Sequence, residues 1–195
     1  MLKVLTNPDE FFRESEDINF VVSFVIVLIS GILGALMIYA NMDILKEAML
    51  RQLSGKVPEE QARALIEAMK YMLLITPIAG AFIGWLILAA LIHGVSALLG
   101  GKGDISKTFK FTAFGYIPSI VLFPITFSIV QMTRELTNVP LTIVGMASTI
   151  WQFAILTFAI KHARNLDTTR AAISVAVPIV ILTTLSLMGK LFRPM

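Results

Sequence analysis

Cysteine is absent from the 195 residues, which removes disulfides, thiolate metal sites and cysteine nucleophiles together. Charge is scarce as well. Asp, Glu, Lys and Arg make up 15% of the chain against 56% apolar residues, a balance that does not describe a soluble domain. The longest apolar runs contain no Asp or Glu, so no carboxylate relay for protons is built into them. Neither HExxH nor GxSxG occurs; an enzyme is not expected, and no cofactor is implied. The net charge of +3 is small and lies in lysines and arginines beside apolar runs, which makes no case for nucleic acid. A cleavable signal peptide is not expected either, because the opening segment ends in Glu14, Glu16 and Asp17 where a basic start is required.

The apolar residues come in blocks. A helix crossing a hydrocarbon core about 30 Å thick needs roughly 20 mostly apolar residues, and five segments meet that test, near 18–40, 71–99, 109–132, 139–160 and 171–188. The expected fold is all-α: one polytopic membrane domain over 1–195 with five transmembrane helices. Ahead of the first span, Asn7 caps a short helix begun by Pro8, with Asp9 and Glu10 in its first turn and Phe11 and Phe12 turned to the membrane surface. Between spans one and two, residues 43–70 read as an amphipathic helical hairpin broken at Ser54-Gly55, lying on the bilayer or packed on the spans. Gly31/Gly34 and Gly80/Gly84 are small-residue notches, used for packing within the bundle or for a homodimer seam. Gly189 to Met195 form a short basic tail.

The stretch Gly100–Pro118, GGKGDISKTFKFTAFGYIP, joins spans two and three. Gly100, Gly101 and Lys102 suggest a phosphate loop, but Ser96 and Gly103 stand where that pattern requires glycine and Ser or Thr. What is left is a turn suited to anionic headgroups, or a plain flexible one. In span three, Pro118 and Pro124 are expected to break the helix, with Ser119, Thr126 and Ser128 offering hydroxyls to the freed carbonyls. A transport path built on His93, Tyr116, Pro118, Pro124 and Gln152 is one reading of these features. The alternative is structural: a hydrogen-bonded His93 near the end of its span and a Gln152 bonding a neighbouring helix. Metal binding would need His93, His162, Asp104 and Asp167 to converge, which their spacing does not compel.

Five spans put the two ends on opposite faces, with eight cations each. Among compact turns, however, the hinge and KHARNLDTTR (161–170) hold Lys102, Lys107, Lys110, Lys161, Arg164 and Arg170, against Arg134 alone. The amino terminus, hinge and fourth loop are therefore expected on the cytoplasmic side, and the hairpin and carboxyl terminus outside, in an integral protein of the cell membrane.

Asn7-Pro8 through Phe11-Phe12, Gly100-Gly101-Lys102-Gly103-Asp104, Lys107-Thr108-Phe109 leading into Gly115-Tyr116-Ile117-Pro118, Trp151, and His162 through Arg170-Ala171 together resemble the Yip (Ypt-interacting protein) domain family. The resemblance covers nearly the whole chain. It implies five spans with a cytoplasmic amino terminus and, as in eukaryotic members, a part in vesicle traffic and binding of small Rab-type GTPases. The acidic-Leu-Tyr-Gly-Pro motif and the long amino-terminal region of those members are missing, and Gly115-Tyr116 reaches Pro118 after one residue rather than three, which points to a compact member of the prokaryotic type. The expected function is a non-enzymatic scaffold or adaptor, possessing a basic face for membrane lipids or an unidentified protein partner. That face comprises Asn7, Pro8, Phe11, Phe12, Gly100, Gly101, Lys102, Lys107, Lys110, Lys161, His162, Arg164 and Arg170. The alternative is a small channel or transporter.

Overall fold

The computed structural model describes residues 3–15 and 17–191, and the end of the basic tail lies outside them. It is helical throughout. Five helices are long and apolar enough to cross a membrane, and the chain is an integral membrane protein. Two short helices, α1 (Lys3–Thr6) and α2 (Pro8–Glu14), precede the first span, α3 (Phe20–Ala40). Asn7 caps α2 by accepting from the Glu10 amide at 3.3 Å while its own amide donates to the Glu10 carboxylate at 2.9 Å. Asn19 caps α3 at the Val21 amide. These side chains supply acceptors to amides that the first helical turn leaves without partners.

α4 (Met42–Leu53) follows α3 after the single residue Asn41, and α5 runs unbroken from Glu59 to Leu98. Here the structure differs from the expectation of a hairpin separate from the second span. At about 1.5 Å per residue, α5 is about 60 Å long, twice the hydrocarbon thickness. α3 and α4 together run antiparallel to it: Gly31 lies against Ile78, Gly34 against Pro77, and Lys46 pairs with Glu67 at 2.7 Å. The hairpin therefore continues the α3–α5 pair as an arm, with Ala62 and Ile66 buried beneath α4. Charges along the arm keep it out of the hydrocarbon. Leu45, Met49 and Leu53 of α4 are half-buried.

After the hinge, α6 (Ile105–Thr112) passes through a 3₁₀ turn (Ala113–Tyr116) into α7 (Ile117–Thr133). The break in span three thus precedes Pro118, which sits in the first turn of α7, where it has no helical hydrogen bond to lose. Pro124, Pro77 and Pro178 all lie inside continuous helices. Thr126 and Ser128 hydroxyls donate to Leu122 and Pro124 carbonyls, four residues back, not to the Ile120 carbonyl that Pro124 leaves free. α8 (Val139–Arg164), capped by Asn138 at the Leu141 amide, and α9 (Thr168–Leu191) complete the bundle.

The core is concentrated toward the amino-terminal end. Val4, Phe12, Phe111, Phe114, Ile155 and Ala159 form one cluster, Ile92, Leu156, Ile160 and Val175 a second, and Val27, Trp85, Ala89 and Ala113 a third. At the other end Asn41, 1% exposed, accepts from Gln131 at 3.0 Å and donates to the Met37 carbonyl, tying α3 to α7. Gly31 and Gly34 are spent within the bundle, since a Cβ on Gly31 would stand 2.8 Å from the Ile78 Cα. Gly80 faces open space. Gly31→Val is expected to lower stability by about 1–3 kcal/mol through overpacking. Gly80→Ala should be neutral or stabilising by up to about 1 kcal/mol, as read by thermal unfolding in detergent.

Candidate functional site at the amino-terminal face

Three chain segments meet at this end: the amino-terminal helices, the hinge between α5 and α6, and the α8–α9 turn. The hinge is built on backbone conformations that glycine alone adopts without strain. Gly100 has φ +85° and Gly103 φ +138°, and a Cβ on Gly103 would lie 2.4 Å from the Ala163 carbonyl oxygen. Beneath it lies Arg164, 3% exposed. Its guanidinium donates through Nε to Ser96 Oγ at 3.0 Å, through Nη2 to the Gly101 carbonyl at 2.8 Å, and through Nη1 to the Gly103 carbonyl. In return the Lys102 amide donates to the Arg164 carbonyl at 2.8 Å. No carboxylate pairs with Arg164 among the described residues; its charge rests on the two hinge carbonyls and the Ser96 hydroxyl, and it stands in the last turn of α8, where the helix dipole favours a cation.

Asp9 clamps the amino-terminal segment. One of its oxygens accepts from Lys161 Nζ and lies against His162 Nε2, both at 2.7 Å. The hydrogen bond from Lys161, and after it the one with His162, holds the Asp9 carboxyl below the usual aspartate range. Around this clamp, Phe12 packs on Phe111 and Phe114 with ring centres 5.0 and 5.6 Å apart, Phe11 on Phe114 at 5.3 Å, and Trp151 donates to the Leu5 carbonyl at 3.2 Å. The segment is docked in a groove between α8 and the α6–α7 break. Two short helices are thereby anchored at their aromatic and carboxylate side chains.

The residues of the expected face differ in accessibility. Phe12 and Arg164 are buried and unavailable to a partner, the first because it fills the aromatic core and the second because its donors hold the hinge. Phe11, Pro8, Lys161 and His162 are half-buried at the docked segment, and Lys110 is half-buried in a pair with Asp17 at 2.7 Å. Gly101 is half-buried over the guanidinium, whereas Lys102, Gly100, Arg170 and Asn7 are exposed. Lys107 is half-buried, its Nζ 5.2 Å from the centre of the Phe111 ring.

The five residues of the transport reading are scattered over separate contacts. His93 Nδ1 lies 3.0 Å from Thr108 Oγ1, Tyr116 donates to the Ala81 carbonyl at 2.9 Å, Pro118 is buried, Pro124 is exposed and Gln152 is half-buried. No hydrogen bond joins any two of them among the described residues. An apolar cleft between α3, α7 and α8, lined by Met37, Leu122, Phe123, Val144 and the facing hydroxyls of Ser119 and Ser148, includes none of the five. Among the described residues no three of His, Asp and Glu converge as a metal would require. The Gly115-Tyr116 pair has a packing explanation: a Cβ on Gly115 would stand 2.9 Å from Leu156, and the Tyr116 hydroxyl ties the break to α5.

Sequence reasoning missed the Asp9 clamp and the Arg164–Ser96 bond. A first-turn acid reads as an ordinary helix-start residue, and a KHAR run at a helix end reads as solvated cations. The signal for Arg164 was the pair Gly101 and Gly103, whose spacing offers two carbonyls to one fork.

Two outcomes follow from the clamp and the latch. Arg164→Ala strands buried carbonyls and should cost about 3 kcal/mol or more, with Arg164→Lys recovering less than half, since a point charge replaces a fork; denaturant titration in detergent measures both. Asp9 has its pKa lowered in the folded protein, so its contribution is complete above the ordinary value of 3.8 and is lost as pH falls through the lower folded value. In a Trp85→Phe background, collisional quenching of Trp151 should rise over that acid range in wild type, while Asp9→Asn should already be loosened at neutral pH.

The chain is 32% identical over 140 residues to an uncharacterized protein of Methanocaldococcus jannaschii, a match covering 71% of this chain and 93% of that protein. No solved structure matches. The family model described as the Yip1 domain matches residues 2–189, from the docked amino-terminal helices almost to the end of α9, and the chain belongs to the Yip1 domain family.

Proposed function

We propose that this Yip1-domain protein is a non-enzymatic membrane scaffold or adaptor, that its amino-terminal face is the working surface, and that this face is cytoplasmic. The observation that carries the reading is the clamped hinge. A fixed backbone holds Lys102 outward, with Arg170 on the neighbouring turn, while the bundle behind is closed by apolar contacts among α3, α5, α6 and α8. Presentation of exposed cations from an already ordered loop favours recognition of an acidic surface, because little backbone freedom is lost on binding. The family is generally non-enzymatic, and the cation excess in the compact turns supports the cytoplasmic assignment. A small GTPase as partner rests on the family resemblance. The conducting alternative is opposed by the apolar packing around the helix break, where Leu156 closes on Gly115.

Crosslinking in native membranes tests the scaffold. Lys102, Lys107 and Arg170, all changed to Ala with Arg164 left intact, should reduce recovery of the main crosslinked protein at least fivefold. A partner profile identical to wild type would sink the proposal, and solute flux through the purified protein in liposomes would turn the reading to transport. A carboxyl-terminal reporter is expected to be silent in the cytoplasm; activity there would reverse the orientation.

A further inference from the structure

The loop from Leu99 to Asp104 joins two helices that both enter the membrane, and so lies at headgroup level. Leu98 and Ile105 flank it, 87% and 51% exposed. Between them Lys102 is exposed, and no ion pair among the described residues includes it. Arg170 reaches the same loop from α9: its Nη1 donates to the Leu99 carbonyl at 3.5 Å and lies 3.8 Å from where a Gly100 Cβ would stand. Its acidic partner, Asp167 at 3.3 Å, is exposed, as is Arg170 itself, and surface pairs of this kind exchange partners at little cost. Asp104 is the other carboxylate on the loop, exposed and in no ion pair among the described residues. Arg164 is turned inward.

The loop is not a loose tether. Gly101 donates to the Ser96 carbonyl at 2.8 Å, Lys102 donates to the Arg164 carbonyl, and the carbonyls on either side of Lys102 accept from the Arg164 fork. The fixed loop thus carries the exposed Lys102, with Arg170 against its Leu99 carbonyl, next to the exposed Leu98 at a membrane boundary. An acidic protein segment would satisfy the cations but does not itself supply the hydrocarbon that an exposed leucine at a membrane boundary meets. A phospholipid presents phosphate and hydrocarbon side by side and satisfies both. We propose that Lys102 and Arg170 seat the phosphate of an anionic phospholipid, with Leu98 against its acyl chains.

This inference deepens the reading of the basic face and rests on it. The test uses purified full-length protein with no partner present, so the lipid result and the crosslinking result can fail independently. Native mass spectrometry in neutral detergent, titrating phosphatidylglycerol and phosphatidylcholine of identical chains, reads the apparent affinities. Each cation at a membrane surface is worth about fivefold, so Lys102→Ala with Arg170→Ala should weaken phosphatidylglycerol binding by about 25-fold and leave phosphatidylcholine unchanged. Lys102→Arg with Arg170→Lys should keep the preference, and Arg51→Ala with Lys56→Ala on the distant arm should change neither lipid. Circular dichroism checks the fold of each variant. Binding within twofold of wild type in the double alanine variant, or no preference between the lipids in wild type, would overturn the proposal. So would binding of inorganic phosphate alone that the double variant abolishes, which would assign the seat to a free anion.

Discussion

One buried guanidinium organises the amino-terminal end of this bundle. Arg164 closes α8, yet every bond its side chain makes is to the end of α5 or to the hinge. Burying a cation costs several kcal/mol unless its donors are met, and here they are met by a hydroxyl and two carbonyls that glycine leaves accessible. The requirement runs in both directions. The hinge carbonyls point inward because Arg164 is there, and Arg164 is tolerated because the hinge has no side chains at Gly101 and Gly103 to stand in the way. Loop position, the α5–α8 distance and the outward placement of Lys102 are consequences of the same three bonds.

The amino-terminal helices solve a related problem by different means. The 3₁₀ turn at Ala113–Tyr116 interrupts span three, and Phe111 and Phe114 are covered by Phe11 and Phe12. Aromatic burial supplies most of the attraction and the Asp9 clamp fixes the register, because one carboxylate between Lys161 and His162 admits one seating of α2 along α8. Asn7-Pro8, Phe11-Phe12 and Gly115-Tyr116 therefore belong to one structural unit. The first pair starts the helix that carries the phenylalanines, and the last shapes the break they cover.

The five spans and the helical class were readable in the sequence because hydrocarbon imposes a length and an apolar composition that few other constraints mimic. The single helix from Glu59 to Leu98 was not. Its charged first three turns and its apolar remainder look like two elements, and nothing local marks that the axis continues; only α4, pairing Lys46 with Glu67, does so. Span three was misjudged for a similar reason. Proline at position 118 reads as a break, whereas a proline in a first helical turn marks a start, and the break lies upstream in Ala-Phe-Gly-Tyr. The candidate face was legible as a cluster of charge along the chain. Which of its cations are spent on the fold, as Arg164 and Lys161 are, depends on partners up to 152 residues away.

The two ends of the bundle carry different amounts of structure. Near the amino-terminal face three buried clusters interlock, whereas toward the arm Met132, Val139 and Ile143 are 85, 73 and 62% exposed, as helices surrounded by lipid are. In a bilayer such exposure costs little, because acyl chains replace protein neighbours, and the far end is tied across α3 and α7 chiefly by the buried Asn41–Gln131 bond. A fixed backbone and exposed cations coincide at the clamped hinge with Lys102 and the turn bearing Arg170. The charged arm lies on the opposite side, where its cations are spread along two exposed helices.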